Sequence, residues 1–132
     1  MRSTIVAYVS GLIVMGILDG AWLSYSIGVL YKPGIGHLMA DKPNAVAALL
    51  FYLMYGAGVT YLITLPALSA GWGFALTRGA VLGIVAYGTY DFTSLAVMRG
   101  WPVNVTVIDT IWGGILTAIT ATAATLITQR FG

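Results

Sequence analysis

Apolar residues run along this chain almost without interruption, and the length of each run, more than any periodicity, carries the structural signal. Four stretches, 4–30, 45–68, 75–98 and 103–128, are each long enough for one membrane-spanning helix, which needs about 20 residues. Between them lie segments rich in Pro, Gly and charge: YKPGIGHLMADKPN (31–44), SAGWG (69–73) and RGWP (99–102). Such segments break helices. The pattern predicts an all-α, four-transmembrane-helix bundle, one integral membrane domain over 1–132, with both termini on the same side. Pro66 is expected to end the second span and Pro102 to sit in the first turn of the fourth. The first run passes Asp19 without a small-residue cleavage site, so it is expected to stay in the membrane as a span.

Composition narrows the chemistry. The chain is 59% hydrophobic and 8% charged, with a mean hydropathy of +0.92, far from the values of soluble domains. It has no Cys, no Glu and one His, His37. Disulfides, thiolate metal sites, iron–sulfur clusters and bis-histidine haem are therefore excluded; no cofactor and no metal is expected. The six basic residues stand singly, which gives nucleic acid nothing to bind. They also tie across the membrane: Arg2, Arg78 and Arg130 on the side of the termini, Lys32, Lys42 and Arg99 on the other. The terminal amine and Arg78 tilt the reading towards cytoplasmic termini in a bacterial inner membrane. The tie also leaves room for dual insertion and a homodimer.

Against this background the stretch ILDGAW (17–22) stands out, because a carboxyl at the centre of a span costs about 2.5–3.5 kcal/mol. Asp91 and Asp109 repeat the anomaly. At 1.5 Å per residue, Asp19 lies about 16 Å, and Asp91 and Asp109 about 10 Å, inside the side opposite the termini. All three fall in one half of the bilayer and are expected to point inward, into a shared polar interior. Donors stand near them. Tyr87 is one turn before Asp91, and the D-x-x-W spacing recurs in Asp19/Trp22 and Asp109/Trp112, placing an indole N–H within reach of each carboxylate. Tyr52 and Tyr55 lie at the same depth in the second span. Thr93, Asn104 and Thr106 are candidates for the lining nearer the rim, where Lys32, His37, Asp41, Lys42 and Arg99 surround the mouth. Loop 31–44 is read as a solvated connection, with a lid or an anion-attracting rim as the alternatives. Trp101, Tyr31, Tyr8 and Trp72 are read as interfacial anchors.

Small residues mark where helices approach. Gly16-x-x-x-Gly20, Gly79-x-x-x-Gly83 and Gly114-x-x-x-Ala118 permit close backbone contact in lipid. Asp19 before Pro33 and Asp91 before Pro102 hint at a duplicated helix pair.

The stretches LDGAW, KPN, FYLMY, AYGTYDFTSLA, RGWP and IDTIWGG together resemble a bacterial family of small four-helix inner-membrane proteins, the domain of unknown function DUF2177. The resemblance runs over nearly the whole chain. It implies four spans and groups Asp19, Asp91 and Asp109 as a set; it implies no reaction. Where that family continues its Tyr-Asp stretch with Leu-Thr-Asn, this chain has Phe92-Thr93-Ser94.

The expected function is a small proton-linked carrier. Its intramembrane substrate and proton site would be formed by Asp19, Asp91, Asp109, Trp22, Tyr52, Tyr55, Tyr87 and Trp112, with Asn104, Lys32, Arg99 and His37 at the rim. A small amphipathic or lipid-like ligand would suit it. Two alternatives stay open: an accessory subunit of a larger membrane complex, and a membrane-embedded enzyme acting on a lipid or isoprenoid with carboxylate acid/base or Mg-binding residues.

Overall fold

The computed structural model describes residues 1–39 and 44–132. Four helices among the described residues are long and apolar enough to cross a membrane: α1 (Arg2–Leu38), α2 (Ala45–Ala70), α3 (Trp72–Val97) and α4 (Val103–Phe131). Asn44 starts α2, its side chain accepting from the Ala47 amide at 3.1 Å, which satisfies one of the free amides of the first turn. Between α2 and α3 the whole reversal is made at Gly71, whose φ of 103° is open to glycine and strained for other residues. The Ser3 hydroxyl donates to the Gly132 carbonyl at 3.1 Å, so both termini meet at one end of the bundle.

α4 is the organising helix. It contacts all three others, and half of its apolar window is buried against 22% in each of the others. Its buried face is made mostly of small or hydroxyl-bearing residues, among them Gly113, Gly114, Thr117, Ala118, Ala121 and Ala124. Small side chains allow neighbours to approach on several sides, and dispersion then supplies the attraction that lipid cannot. The α3–α4 seam is the tightest. A Cβ at Gly83 would lie 2.0 Å from the Gly113 carbonyl oxygen, and one at Gly79 2.8 Å from the Ala118 Cα.

Three sequence expectations are corrected. The first break does not fall at residue 31: α1 runs on through Lys32-Pro33 to Leu38. Pro66 does not end α2, which continues to Ala70. The same device explains both. A π turn, Ile27–Tyr31 in α1 and Thr60–Thr64 in α2, lies immediately before each Lys-Pro or Leu-Pro step. A proline ring collides with the carbonyl four residues back and donates no hydrogen bond; the wider π turn moves that carbonyl aside, and the helix survives. Third, Gly16-x-x-x-Gly20 receives no second backbone, since a Cβ at either glycine would meet nothing within 4 Å.

The bundle is not closed equally along its length. α2 packs on α3 mainly through 60–70, while its first half stands farther from α3 and meets it through the edge-on contact of Tyr55 with Tyr87 at 6.1 Å. A side opening therefore exists in the half of the bundle distant from the termini.

Gly83→Leu is expected to force α3 from α4 and to destabilise the protein by about 3 kcal/mol or more. Gly16→Ala should change stability by no more than about 0.5 kcal/mol. Thermal unfolding of the two purified variants in detergent distinguishes them.

Candidate functional site

The three aspartates do converge, in the half of the bundle where α2 and α3 part. Asp19 on α1 accepts from the Tyr52 hydroxyl of α2 and, at 3.2 Å, from the Trp112 indole of α4. Asp109 on α4 accepts from the Tyr31 hydroxyl of α1, which in turn accepts from the Trp22 indole at 3.5 Å. Each carboxylate is thus served from other helices. The expected donation along one helix, Trp22 to Asp19 and Trp112 to Asp109, does not occur. The two indoles stack across the α1–α4 contact at 4.9 Å and 16°, and this face-to-face geometry turns each N–H away from the aspartate of its own helix.

Tyr31, read from the sequence as an interfacial anchor, belongs to the site. It ends the π turn of α1, where Leu30, Ile35, Trp101 and Val105 pack together and hold this extension of α1 against the start of α4. Gly34 makes the approach possible, since a Cβ there would lie 2.9 Å from Pro102 and Val105. Trp101 is likewise no anchor: it is buried, and its indole donates to the Thr106 hydroxyl at 3.1 Å. Tyr8 donates to the Leu53 carbonyl at 3.0 Å, whereas Trp72 is exposed at the start of α3.

Asp91 differs from its partners. It is 0% exposed, and neither carboxylate oxygen has a hydrogen-bond partner among the described residues. The expected bond from Tyr87 is absent; that ring instead lies over Gly113, where a Cβ would come within 2.2 Å of Tyr87 Cγ. Across the α3–α4 seam the acidic neighbour of Asp91 is Asp109. The Thr110 hydroxyl is a second unpartnered buried oxygen in this seam; it faces α3 at Gly88, one turn before Asp91.

In front of this pair lies a cavity of about 300 Å³, lined by Asp19, Tyr31, Tyr87, Tyr90 and Asp109 with Leu23, Ile27, Ile35 and Met39. Tyr87, Tyr90 and Asp109 also line a neighbouring cavity of about 420 Å³, completed by Phe51 and Ala86. Tyr55 stands behind that second space: it pairs with the Thr117 hydroxyl at 2.7 Å and stacks on Phe51 at 5.4 Å. Among the rim candidates, Lys32, His37, Arg99 and Asn104 are exposed and line neither cavity. His37 instead lies beside Gly100. Thr93 is exposed and Thr106 is buried with Trp101. Asp41 and Lys42 lie outside the described residues.

Tyr31, Tyr90, Phe51 and Thr110 were missed by spacing arguments. A usable signal existed only for Tyr90, adjacent to Asp91. Tyr31 sits before Lys-Pro, which reads locally as a loop, and Phe51 reads as ordinary lipid-facing surface.

The Trp22–Trp112 stack is expected to give an exciton couplet in circular dichroism, abolished equally by Trp22→Phe and Trp112→Phe. Tyr52→Phe, which leaves Asp19 one donor short, should lower stability by about 1–2 kcal/mol, as read from thermal unfolding in detergent.

The network rests on residues spread over the whole chain, and the comparison with known proteins covers the same extent. A family model described as "Predicted membrane protein (DUF2177)" matches residues 4–126. No curated protein and no solved structure matches the chain. With most of each of the four helices inside the match, the chain belongs to the DUF2177 family of predicted membrane proteins.

Proposed function

We propose that this multi-pass membrane protein is a small proton-linked carrier whose solute site is the cavity between Asp19 and Asp109. The observation that carries the reading is Asp91. A carboxylate taken out of water with no donor is costly, and a second carboxylate beside it raises the cost by like-charge repulsion. One proton held between Asp91 and Asp109 removes a charge and supplies the missing hydrogen bond in the same step. Asp109 is the member that also faces the cavity. A solute engaging Asp109 would therefore compete with the shared proton, which is the elementary requirement for exchange.

The surroundings support this assignment over lipid enzymology. Among the described residues no Lys, Arg or His lines either cavity, so none of them stands there to hold a phosphate. Carrier movement would use the unequal closure of the bundle: the glycine seam of α3 and α4 is the fixed part, and the first half of α2, held to α1 and α4 by the hydrogen bonds of Tyr52 and Tyr55, is the part that would exchange its contacts. We further propose a bacterial inner membrane with cytoplasmic termini, on the balance of the terminal amine and Arg78, and reporter fusions at both ends test that orientation.

Infrared spectra at neutral pH are expected to contain the carbonyl band of a protonated carboxyl, lost in Asp91→Asn. Spectra in which Asp19, Asp91 and Asp109 are all ionised at neutral pH would overturn the reading.

A further inference from the structure

The two adjoining lobes of the site both have Tyr87, Tyr90 and Asp109 in their lining. The lobes differ in chemistry. One holds both carboxyls; the other is bounded by Phe51 and Ala86. We infer that the ligand of this space is an amphiphilic organic cation, an ammonium head seated at Asp109 and Asp19 with an apolar or aromatic body in the Phe51/Ala86 lobe.

Charge supports the head. Among the described residues the groups facing Asp109 are Asp19 and Tyr31 from α1 and Asp91, Tyr87 and Tyr90 from α3; none of them carries a positive charge. Asp91, fully buried with both oxygens unpartnered among the described residues, adds a further carboxyl beside Asp109 and no positive group. An anion would meet only repulsion here, and a neutral solute would leave the acids as they are. A cation finds carboxylates and, in the tyrosine rings, the negative faces that attract quaternary ammonium groups.

Shape supports the body. The lobes, about 300 and 420 Å³, are in the range of sites for small organic ligands. The apolar lobe opens sideways: Phe51 on α2 and Tyr90 on α3 are 41% and 57% exposed, on the side where the first half of α2 stands away from α3. A ligand that dissolves its body in the acyl chains can enter there head first, without crossing the exposed rim of Lys32 and Arg99.

This substrate class rests on the cavity assigned above, but its test needs no transport. The probe is benzyltrimethylammonium, a permanent cation, compared with its uncharged carbon isostere neopentylbenzene, by calorimetric titration of the full chain in detergent. The cation should bind about tenfold or more tightly than the isostere. Asp109→Asn should remove that advantage. Ala86→Leu, which fills the apolar lobe, should weaken benzyltrimethylammonium while leaving tetramethylammonium binding unchanged. Equal affinity for the cation and its isostere in wild-type protein, or full cation affinity in Asp109→Asn, overturns the inference. If one proton is shared by Asp91 and Asp109, cation affinity also falls as pH is lowered, and Asp91→Asn flattens that dependence. A preference for the cation that is independent of pH upholds the cation site and ends the proton-linked reading, so the two fail separately.

Discussion

A carboxyl in the hydrocarbon layer must find its hydrogen bonds within the protein, because no water is there to supply them. That constraint shapes the half of the bundle distant from the termini. Asp19 is held by Tyr52 and Trp112, and Asp109 by Tyr31. Every one of those donors comes from a helix other than the acid's own. Each aspartate therefore works as a tie between helices: Asp19 joins α1 to α2 and α4, and Asp109 joins α4 to α1. The stacked indoles of Trp22 and Trp112 lock the α1–α4 contact in the register that both ties require.

The other half of the bundle holds together by different means. Gly79 and Gly83 let α3 meet α4 backbone to backbone, and threonine hydroxyls in α4 fold back onto the carbonyls one turn earlier, as at Thr125 and Thr128. These are polar groups that satisfy themselves, so they enter the core without needing a partner helix. Asp91 follows neither rule. It is the one aspartate with no donor among the described residues, and its only acidic neighbour in the seam also opens to the cavity. Stability alone gives no reason for a carboxyl in that position, which is why the functional reading starts there.

Much of this was open to a reader of the sequence, for definite reasons. Helix count followed from run length and the ~30 Å hydrocarbon thickness, and the depth of Asp19, Asp91 and Asp109 followed from a fixed rise per residue. Inward orientation followed from cost. The failures were equally physical. Proline was read as a stop at 33 and 66, but a π turn before each one lets the helix continue, and a π turn depends on packing that no local pattern reveals. Tyr31 reached Asp109 only because α1 continued. Indole donation was expected along a helix from i to i+3 spacing, which says who is near within one helix and nothing about rings stacked between two.

What the sequence by itself determined, then, are the quantities fixed by single runs of residues: the number of helices, the common level of the three acids along them and the absence of cysteine, glutamate and clustered base. What only the tertiary structure decided is the pairing between helices. It determined which tyrosine serves which aspartate, that Gly16 and Gly20 face open space while Gly79 and Gly83 face α4, and that α2 parts from α3 beside the acids. Depth is a one-dimensional property, set by rise along an axis. Partnership depends on the rotation of each helix about its axis, and that angle is settled jointly by all four helices as they pack.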